Sequence, residues 1–501
     1  MQASSPGSKS QYDTAFFGHP RGLATLFFTE MWERFSYYGM RALLILFMTA
    51  STSTGGLGFS IPKASAIYGI YVGLVYGLSL PGGWIADRFL GLRRSVFCGG
   101  ILIAAGNLCL AVPRLGFFYL GLGLIVSGTG LLKPNVSTIV GRLYATGDPR
   151  RDSGFSIFYM GINLGAFIAP LIVGYVGQRV DWHMGFGLAA IGMVAGLTQY
   201  TLGGKYLGEA GLRPVQPESL EERARQRRTL ALSGAAVGVL VLAPVLLNAL
   251  GVIQLTAEGL NNAFGLILLA VVVASFAGLL FSGNWSAVER KRLYVVAVLF
   301  FASMLFWSLF EQAGSTLTLF AERNTDKTFS LGNFSYLFPA SWFQSVQPIL
   351  IVVLAPVFAW IWIALGKRNP SSPLKFALGL FFAAAGFLVL IPPAMRGPAA
   401  QASYVWLLIT YFLHTLGELS LSPVGLSAMT KLAPTSVGGR IMGLWFLSTA
   451  CGNYLGARVS GLYESMPLPK LFGAVSAVAI IFGLILALFA KPIKELMGGA
   501  E

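Results

Sequence analysis

The chain has 501 residues, of which 55% are hydrophobic and only 11% are charged. Soluble domains carry about 25% charged residues, so this composition excludes a soluble protein and predicts a polytopic membrane protein. The formal net charge of +15 would suit a nucleic-acid partner, but the basic residues are spread over alternate loops, and we therefore expect no nucleic acid.

Fourteen apolar segments predict an all-α polytopic membrane protein. A bilayer crossing takes about 20 residues, so we expect the longer segments to tilt or to extend beyond the bilayer. In chain order the segments cover residues 22–50, 61–87, 95–112, 115–143, 153–178, 184–204, 229–249, 261–282, 293–321, 338–366, 374–393, 402–430, 439–462 and 468–490.

The basic residues predict the orientation in the membrane. Connections on the side of the N-terminus hold 24 lysines and arginines, whereas connections on the opposite side hold seven. Positively charged loops remain in the cytoplasm, so we expect a multi-pass protein of the inner (plasma) membrane with both termini cytoplasmic. Residues 6–19 lack the apolar core and cleavage site of a signal peptide, which agrees with a cytoplasmic N-terminus.

One long charged connection, residues 205–228, divides the chain. The two apolar segments that follow it contain no Lys or Arg, and we expect them to form an inserted hairpin that stabilises the bundle. The predicted divisions are a cytoplasmic N-terminus (1–21), an N-terminal six-helix bundle (22–204), a charged cytoplasmic linker (205–228), the inserted hairpin (229–282), a C-terminal six-helix bundle (283–490) and a cytoplasmic C-terminus (491–501).

The sequence contains no motif that predicts a bound metal or cofactor. Cys98, Cys109 and Cys451 each lie in an apolar run without paired spacing, which predicts packing residues rather than disulfides, nucleophiles or metal ligands. The sequence has no metal-ligand cluster and no GxxxxGK[ST] loop. We therefore expect no metal and no cofactor, and a proton gradient as the energy source.

The first segment carries charges that a membrane helix normally avoids. At about 100° per residue, six polar side chains occupy about 140° of one helix face. These residues are Glu30, Glu33, Arg34, Tyr37, Tyr38 and Arg41. Because intramembrane charges face a bundle interior or a water-filled cavity, the face is either a mutually neutralised structural patch or a proton and substrate site. We favour the site.

The connection after the second segment, residues 82–94 (GGWIADRFLGLRR), resembles the loop signature of the major facilitator superfamily. We expect Asp87 to pair with neighbouring arginines and so to hold one conformational state of the cytoplasmic side. Together with the arrangement of six, two and six segments, the resemblance implies the major facilitator fold. That fold has two six-helix bundles around a midplane site, and the hairpin would bring the count to 14 transmembrane helices.

Five motifs are similar to those of the proton-dependent oligopeptide transporter family. The motifs are residues 30–38 (EMWERFSYY), 130–135 (GLLKPN), 155–165 (FSIFYMGINLG), 310–312 (FEQ) and 417–425 (GELSLSPVG). They lie in both halves, and the inserted hairpin is similar to that of bacterial members. The resemblance implies a symporter that imports di- and tripeptides together with protons by alternating access. We expect the protein to be a monomer, although no residue pattern in the sequence reveals the oligomeric state.

The matched residues suit a zwitterionic peptide. Lys133 needs an anion, either a protein carboxylate or the substrate, because an unpaired charge in a membrane is costly. Arg34 can bind the substrate carboxylate through two parallel hydrogen bonds. Glu418 suits the substrate amine, and Asn163 both donates to and accepts from a peptide amide.

The resemblance implies further residues around the cavity, although aromatic residues also commonly fill bundle interiors. Gln347 stands just before Pro348, where the family often has asparagine, and keeps the amide chemistry. The expected substrate-binding residues are Arg34, Tyr37, Tyr38, Tyr76, Lys133, Asn163, Trp307, Glu311, Gln347, Glu418, Trp445 and Thr449. The expected proton-coupling residues are Glu30, Glu33, Arg34, Arg41, Lys133 and Glu311.

Proton coupling is expected to act through ion pairs. A proton on Glu30 or Glu33 would free Arg34 or Lys133 for the peptide carboxylate. On the other half, Glu311 would pair with Arg41 when the extracellular side closes.

The three histidines are expected to stand outside this chemistry. His19 and His183 lie at segment ends and are predicted to be interfacial, whereas His414 is predicted to be a packed polar residue.

Other functions stay open at this point. A relative of the family could carry another solute, such as nitrate or a peptide-like drug, but the intact acidic motif of the first segment argues against nitrate. A sensor that binds peptide without moving it would need a signalling tail, whereas only about ten residues follow the last segment. No nucleophile–base pair supports an enzyme.

Overall fold

The computed structural model describes residues 13–145, 148–212, 214, 219–281, 283, 285–397, 400–434 and 437–499. Each of the fourteen predicted segments lies on a helix, and a short fifteenth helix follows. The predicted fold class, all-α and polytopic, is confirmed. Among the described residues, eleven helices are long and apolar enough to cross a membrane. Helices α1, α3 and α13 are not among the eleven.

The helices fall into three groups in chain order. The first half consists of α1 (Arg21–Thr49), α2 (Ile61–Leu90), α3 (Leu92–Leu110), α4 (Leu115–Arg142), α5 (Arg151–Arg179) and α6 (Trp182–Leu207). The hairpin consists of α7 (Leu220–Ala249) and α8 (Ala257–Phe281). The second half consists of α9 (Ala287–Asn324), α10 (Ala340–Ala364), α11 (Ser372–Met395), α12 (Val405–Leu432), α13 (Gly438–Ser460), α14 (Leu468–Leu488) and α15 (Ala490–Leu496).

In the part of the second half that the structure describes, four short strands lie in the connections, and the sequence analysis did not predict them. They are β1 (Thr325–Asp326), β2 (Thr328–Leu331), β3 (Phe334–Leu337) and β4 (Ala402–Ser403). Strands β2 and β3 form an antiparallel hairpin with Ser330 opposite Ser335, whereas β1 pairs in parallel with β4. Gly332 adopts a φ of 60° in the hairpin turn, a conformation that glycine reaches without strain.

Contacts between helix ends define two sides of the molecule. The terminal side holds the start of α1 beside the end of α4, where His19 contacts Tyr144, and the start of α9 beside the end of α15, where Arg292 contacts Met497. The far side holds the opposite helix ends and all four strands. Because the helices alternate in direction, both described ends of the chain lie on the terminal side.

Small residues allow the helices of the first half to pack closely. The packing of α3 on α4 is the most extensive in the molecule, followed by that of α1 on α5. A Cβ atom at Gly99 would lie only 2.6 Å from the carbonyl oxygen of Gly128. Glycines at such crossings let membrane helices approach each other more closely than larger residues permit.

The two halves meet most extensively along two helix pairs, α2 with α13 and α5 with α10. On the far side, the hydroxyl oxygens of Ser65 and Ser460 lie 3.2 Å apart. The indole nitrogen of Trp342 donates to the Leu171 carbonyl at 3.1 Å. The halves are therefore closed against each other on the far side.

The connection expected to be a charged linker, residues 205–228, is partly helical. Helix α7 begins at Leu220 because the Ser219 side chain accepts a hydrogen bond from the Glu222 backbone N–H. Glu221 and Glu222 in the first turn also suit the positive end of the helix dipole. The charges at 220–228 therefore form the first turns of the hairpin, which extends beyond the apolar segment 229–249.

The expectation that Asp87 pairs with neighbouring arginines is wrong. Asp87 is exposed, lies in a π-helical turn (Ala86–Leu90) and makes no ion pair within the described chain. Arg88 instead pairs with Glu222 of α7 at 2.9 Å. Arg93 donates to the carbonyl oxygens of Gly208 and Ala210. The partner of Arg88 lies in α7 and those of Arg93 lie in the connection before α7. Neither region is part of the motif.

Candidate substrate and proton site

Two carboxylates and a guanidinium form a buried cluster on α1. The Nε atom of Arg34 lies 3.1 Å from Oε1 of Glu30 and also contacts Oε2 of Glu33. The exposed fraction of each of the three residues is 3% or less. With both acids ionised, the cluster would carry a net charge of −1 out of contact with water, which is costly. One proton on either acid removes that charge.

The cluster keeps unused hydrogen-bonding capacity. Within the described chain, Oε2 of Glu30, Oε1 of Glu33 and Nη2 of Arg34 are buried without a hydrogen-bond partner. Buried polar groups normally have partners. Such atoms are therefore candidates for contact with a proton, water or substrate.

Helix α5 sets the position of this cluster. A Cβ atom at Gly165 would lie 3.0 Å from Cβ of Arg34, so only glycine lets α5 approach α1 this closely. The same motif places Asn163 on α5, buried, with its Nδ2 donating to the Tyr159 carbonyl at 3.0 Å. The side-chain oxygen of Asn163 is not used in that bond.

Lys133 faces the cluster from α4. Its Nζ lies 3.9 Å from the centre of the Tyr76 ring, a cation–π contact that joins α4 to α2. Glu30, Glu33 and Arg34 are within Coulombic range. Lys133 forms no ion pair with any described residue. The sequence left open whether Lys133 pairs with a protein carboxylate or with the substrate. In this structure, no carboxylate of the described chain contacts Lys133.

A second charge pair joins the two halves. Nη2 of Arg41 on α1 lies 2.6 Å from Oε2 of Glu311 on α9, and both side chains are buried. Nε of Arg41 also donates to the Tyr68 hydroxyl at 2.8 Å. The contact between Arg41 and Glu311 that the sequence suggested is present, and it spans 270 positions of the chain.

A break in α9 places Glu311 against α1. The α-helix Ala287–Phe310 is followed by a 3₁₀ turn, Glu311–Gly314, before the α-helix Thr316–Asn324. A 3₁₀ stretch within a longer helix often marks a functional hinge. A Cβ atom at Gly314 would lie 2.7 Å from Nε of Arg41, so the pair depends on glycine at this position.

The second half contributes polar groups that the protein leaves unpaired. In the described chain, Oε2 of Glu418, Nε1 of Trp307 and Nε2 of Gln347 are buried without a hydrogen-bond partner. Glu418 on α12 is within Coulombic range of Tyr38 on α1 and Tyr159 on α5. It therefore faces the first half across the space between the bundles.

The tyrosines of α1 lie beside its arginines. The guanidinium of Arg34 is 5.3 Å from the Tyr37 ring centre, and that of Arg41 is 5.7 Å from the Tyr38 ring centre. Tyr37 is buried, whereas Tyr38 remains half-buried. The polar face predicted for the first segment is thus present, with its charges and aromatic rings in contact.

Two of the expected site residues, Trp445 and Thr449, make contacts within the second half. Trp445 packs against Gly425 of α12 and makes an edge-to-face contact with Phe376 of α11. The Thr449 hydroxyl donates to the Trp445 carbonyl at 3.4 Å. The contacts of this pair match the bundle-filling role that was the alternative for aromatic residues.

Sequence reasoning missed Tyr68 and Gly314, which hold Arg41 in place. A signal for Tyr68 was present, because it shares one face of α2 with Tyr71 and Tyr76 at helical spacing. For Gly314, the polar run from Glu311 interrupts an apolar segment just before it. Neither signal identified Arg41 as the partner, since that contact is between distant parts of the chain.

The histidines lie away from the cluster. His414 is fully buried, with Nε2 3.2 Å from the Ala383 carbonyl oxygen, as expected of a packed polar residue. His183 has Nδ1 3.0 Å from the Leu110 carbonyl oxygen. His19, expected at an interface, is instead buried between Tyr144 and Ser153.

Comparisons with known proteins identify the family. Residues 93–478 match the model described as POT family. The chain is 44% identical over 493 residues to the Bacillus subtilis protein named uncharacterized transporter YclF, covering 98% of each chain. It is 39% identical over 495 residues to a di-/tripeptide transporter of Lactococcus lactis subsp. cremoris, covering 97% of this chain and 98% of that one.

Solved structures agree with the sequence comparisons. A crystal structure of a mutant of peptide transporter POT in complex with alafosfalin has a TM-score of 0.90 and 43% identity, covering 99% of this chain and 100% of that one. The expectation of a transporter with the major facilitator type of fold, rather than an enzyme, is confirmed. Matched along nearly its whole length in both sequence and structure, the chain belongs to the POT family of peptide transporters.

Proposed function

We propose that this protein is a symporter that imports di- and tripeptides together with protons by alternating access. The observation that carries the proposal is the pair of buried charge clusters on α1. One cluster has two acids for one guanidinium, and the other pairs Arg41 with Glu311 across the two halves. Named peptide transporters among the relatives support the substrate class.

Peptide recognition requires opposite charges a peptide's length apart. Lys133 and Arg34 of the first half would bind the substrate carboxylate, since Lys133 has no ion pair in the described chain and Nη2 of Arg34 is unpaired. Glu418 of the second half would bind the substrate amine. Asn163, Gln347 and the indole N–H of Trp307 supply donors and acceptors for the peptide backbone.

Aromatic residues complete the proposed cavity. Tyr37, Tyr38 and Tyr76 would line the wall of the first half, where each of them contacts a cation through its ring. Trp445 and Thr449 would pack behind the residues that line the cavity wall of the second half.

Proton coupling follows from competition for Arg34. While both acids are ionised, Arg34 is held by Glu30 and Glu33. A proton on one acid weakens that grip, so the guanidinium becomes available to the peptide carboxylate. Binding of proton and of peptide are then mutually favourable, which is the thermodynamic requirement for symport.

The second charge pair would couple protons to the far-side closure. Arg41 and Glu311 hold α1 to α9 in the closed far side seen here. Protonation of Glu311 removes the attraction and favours opening of that side. The terminal side, which carries most loop lysines and arginines, would be cytoplasmic, so the conformation seen here faces the cytoplasm.

The remaining assignments follow from this mechanism. Both termini would be cytoplasmic in the inner (plasma) membrane, and the two bundles, residues 22–204 and 283–490, would rock around the midplane site. The proton gradient supplies the energy without a cofactor, and each bundle pair would work as a monomer in the lipid bilayer.

Uptake of labelled dialanine into proteoliposomes tests the proposal. We expect accumulation above the external concentration only when an inward proton gradient is applied. A protonophore should abolish the accumulation while leaving exchange across the membrane. Equal uptake with and without the gradient would contradict proton coupling, and absence of dialanine uptake with uptake of another solute would contradict the substrate class.

A further inference from the structure

The β2–β3 hairpin on the far side has two chemically different faces. Successive side chains of a strand point to opposite faces, and residues directly opposite each other in an antiparallel pair share a face. The register pairs Phe329 with Tyr336 and Leu331 with Phe334, so these four side chains form one apolar face. The opposite face, which is mainly polar, holds Thr328, Ser330, Ser335 and Leu337.

Much of the apolar face is not covered by the rest of the protein. Leu331 is 70% exposed, Phe334 is 60% exposed and Phe329 is 41% exposed. Residues 328–337 contain no charged side chain. A contiguous exposed apolar patch of this kind marks a surface that contacts a membrane or another protein.

The apolar face continues into a groove of about 430 Å³ between the hairpin and helices α5, α10 and α12. Phe329 and Tyr336 line the groove from the hairpin, and Ile349 lines it from α10. Of the described residues that line the groove none is charged, and the hydroxyl of Ser345 is used in a hydrogen bond to the Phe167 carbonyl at 2.7 Å. The groove therefore suits an apolar occupant.

The groove opens onto the outer surface of α10. Ile349 begins a row of exposed apolar side chains that continues at helical spacing with Val353, Val357 and Trp360. At about 100° per residue, Ile349 lies about 200° around the helix from Gln347, which is assigned to the space between the halves. Because α10 is long and apolar enough to cross a membrane, its exposed apolar side is in contact with acyl chains. The groove is continuous with that lipid-facing surface.

Aromatic rings indicate that the groove lies at the level of the membrane interface. The Trp342 ring centre is 5.8 Å from that of Tyr336 and 6.4 Å from that of Phe338. Tryptophan and tyrosine are enriched where a bilayer meets water. Strand β3 ends at Leu337 and α10 begins at Ala340, so the hairpin cannot lie far from the end of the membrane-spanning helix.

We propose that the apolar face of the β2–β3 hairpin inserts into the leaflet on the far side. Phospholipid acyl chains contact Phe329, Leu331 and Phe334 and enter the groove, while Ser330 and Ser335 stay in contact with water. The partner is lipid rather than another protein because the apolar face and the lipid-facing side of α10 form one continuous surface.

Spin labels in the full-length protein, reconstituted in phosphatidylcholine liposomes, test the proposal. Phe329→Cys, Leu331→Cys and Phe334→Cys are each made in a background without the three native cysteines and labelled with a nitroxide. Power saturation then compares collisions with oxygen, which dissolves among acyl chains, and with a water-soluble nickel chelate. We expect the ratio of oxygen access to nickel access to be several-fold higher at these positions than on the opposite face.

Matched controls come from the same hairpin. Ser330→Cys and Ser335→Cys are exposed but lie on the opposite face, and their nickel access should approach that of a label in water. Ile349→Cys gives the reference for acyl chains, and Ser53→Cys, in the exposed connection after α1, gives the reference for water. All these positions are exposed, so the variants should fold, and the melting temperature of each checks this.

A second set of variants tests whether the apolar side chains themselves hold the hairpin in the leaflet. With the label at Phe329→Cys, the additional change Leu331→Ser/Phe334→Ser should lower the ratio of oxygen access to nickel access several-fold. The additional change Ser330→Ala/Ser335→Ala should leave the ratio unchanged.

Three results would overturn the proposal. Nickel access at the apolar face as high as at the Ser53→Cys label would place that face in water. Low access of both reagents at the apolar face would mean that protein, such as a second copy of the chain, covers it. An equal ratio on the two faces of the hairpin would rule out insertion by one face.

Discussion

At the scale of single residues, Glu30 and Glu33 both form an ion pair with the guanidinium of Arg34. Glu30 is one helical turn before Arg34, and Glu33 is its neighbour in sequence. Both keep one oxygen without a partner in the described chain. Removing one negative charge from the cluster therefore acts on the availability of Arg34 without creating a cavity.

The first prediction separates coupling from binding. Glu30→Gln and Glu33→Gln each mimic the protonated acid at constant volume, so gradient-driven accumulation of peptide should be lost. Counterflow of labelled against unlabelled dialanine should persist, because exchange needs no net proton movement. Glu258→Gln, at the start of α8 outside both clusters, serves as the control and should accumulate peptide normally. A cluster variant that still concentrates peptide at the full rate would show that its carboxylate is structural.

The second prediction concerns the two ends of the peptide. Lys133→Ala should reduce dialanine affinity by about 100-fold, because loss of one partner of a buried charge pair costs about 2–5 kcal/mol. A dipeptide with an amidated C-terminus should bind poorly to the wild type and lose little more in the variant. Glu418→Gln should show the converse selectivity, with a loss for free-amine peptides and little change for N-acetylated ones.

Competition assays against labelled dialanine measure these differences. Equal losses for modified and unmodified peptides would contradict the assignment of the two ends. Equal losses in Glu418→Gln would point to a role in gating rather than in amine recognition.

At the scale of elements, the break in helix α9 brings Glu311 of the second half into contact with Arg41 of α1. The 3₁₀ turn at Glu311–Gly314 directs Glu311 at Arg41, and Gly314 leaves room for Arg41 and Tyr68. Without that glycine, the side chains on α1 and α2 would have to move away from α9.

The third prediction follows from this crowding. In Gly314→Ala the new Cβ would lie 2.7 Å from Nε and 3.0 Å from Nη2 of Arg41, so the pair with Glu311 should be displaced. Overpacking of this kind costs about 1–3 kcal/mol. We expect a lower melting temperature and a loss of gradient-driven uptake. Gly123→Ala on α4, with no atom within 4 Å of the new Cβ, is the control and should leave both unchanged. Normal uptake by Gly314→Ala would mean that the Arg41–Glu311 contact is dispensable.

The segment before α1 carries a pH-dependent contact. His19 is 6% exposed, with Nδ1 2.9 Å from the Tyr144 hydroxyl. Burial, together with the nearby Arg150 guanidinium, lowers the pKa of His19 below its ordinary value of 6.5, against a smaller opposite effect of Asp148. The docked segment therefore favours the neutral ring.

The fourth prediction gives the sign of the pH effect. As the pH falls through 6.5, an undocked His19 takes up a proton while a docked one stays neutral, so docking weakens until the lowered pKa is passed. Hydrogen exchange of residues 13–20, corrected for intrinsic rates, should be faster at pH 5.5 than at pH 7.5. In His19→Gln, which does not titrate, the corrected rates should be equal at the two pH values. A pH effect of the same size in that variant would assign it to another group.

At the scale of the whole molecule, closure of the far side depends on contacts between halves. Helix α2 meets α13, and α5 meets α10. Alternating access requires that these far-side contacts break in each cycle.

The fifth prediction tests whether the far side must open during transport, by linking α2 to α13 with a disulfide. The hydroxyl oxygens of Ser65 and Ser460 are 3.2 Å apart, so cysteines at both positions should form a disulfide. In a background with Cys98, Cys109 and Cys451 replaced by serine, oxidation should abolish uptake and a reducing agent should restore it. Each single-cysteine variant should transport under both conditions. Full uptake by the oxidised double variant, with the disulfide verified by mass, would mean that the far side does not open during transport.

The sequence alone determined the class, the helices and the identity of most charged residues of the candidate site. Hydropathy is a local property, so each of the fourteen segments was recognisable from its own residues. An acid or base inside an apolar run is also visible locally, which is why Glu30, Arg34, Lys133 and Glu418 could be named. The motif-level resemblance to the family rested on the same local information.

Only the tertiary structure decided which of these charges meet. Arg41 lies against Glu311 and Tyr68, Lys133 against the Tyr76 ring, and Arg88 against Glu222 rather than Asp87. Each contact joins residues far apart in sequence, and its partner is chosen by how helices cross and where glycines allow close approach. That information is not contained in any single segment, because it arises when the segments pack.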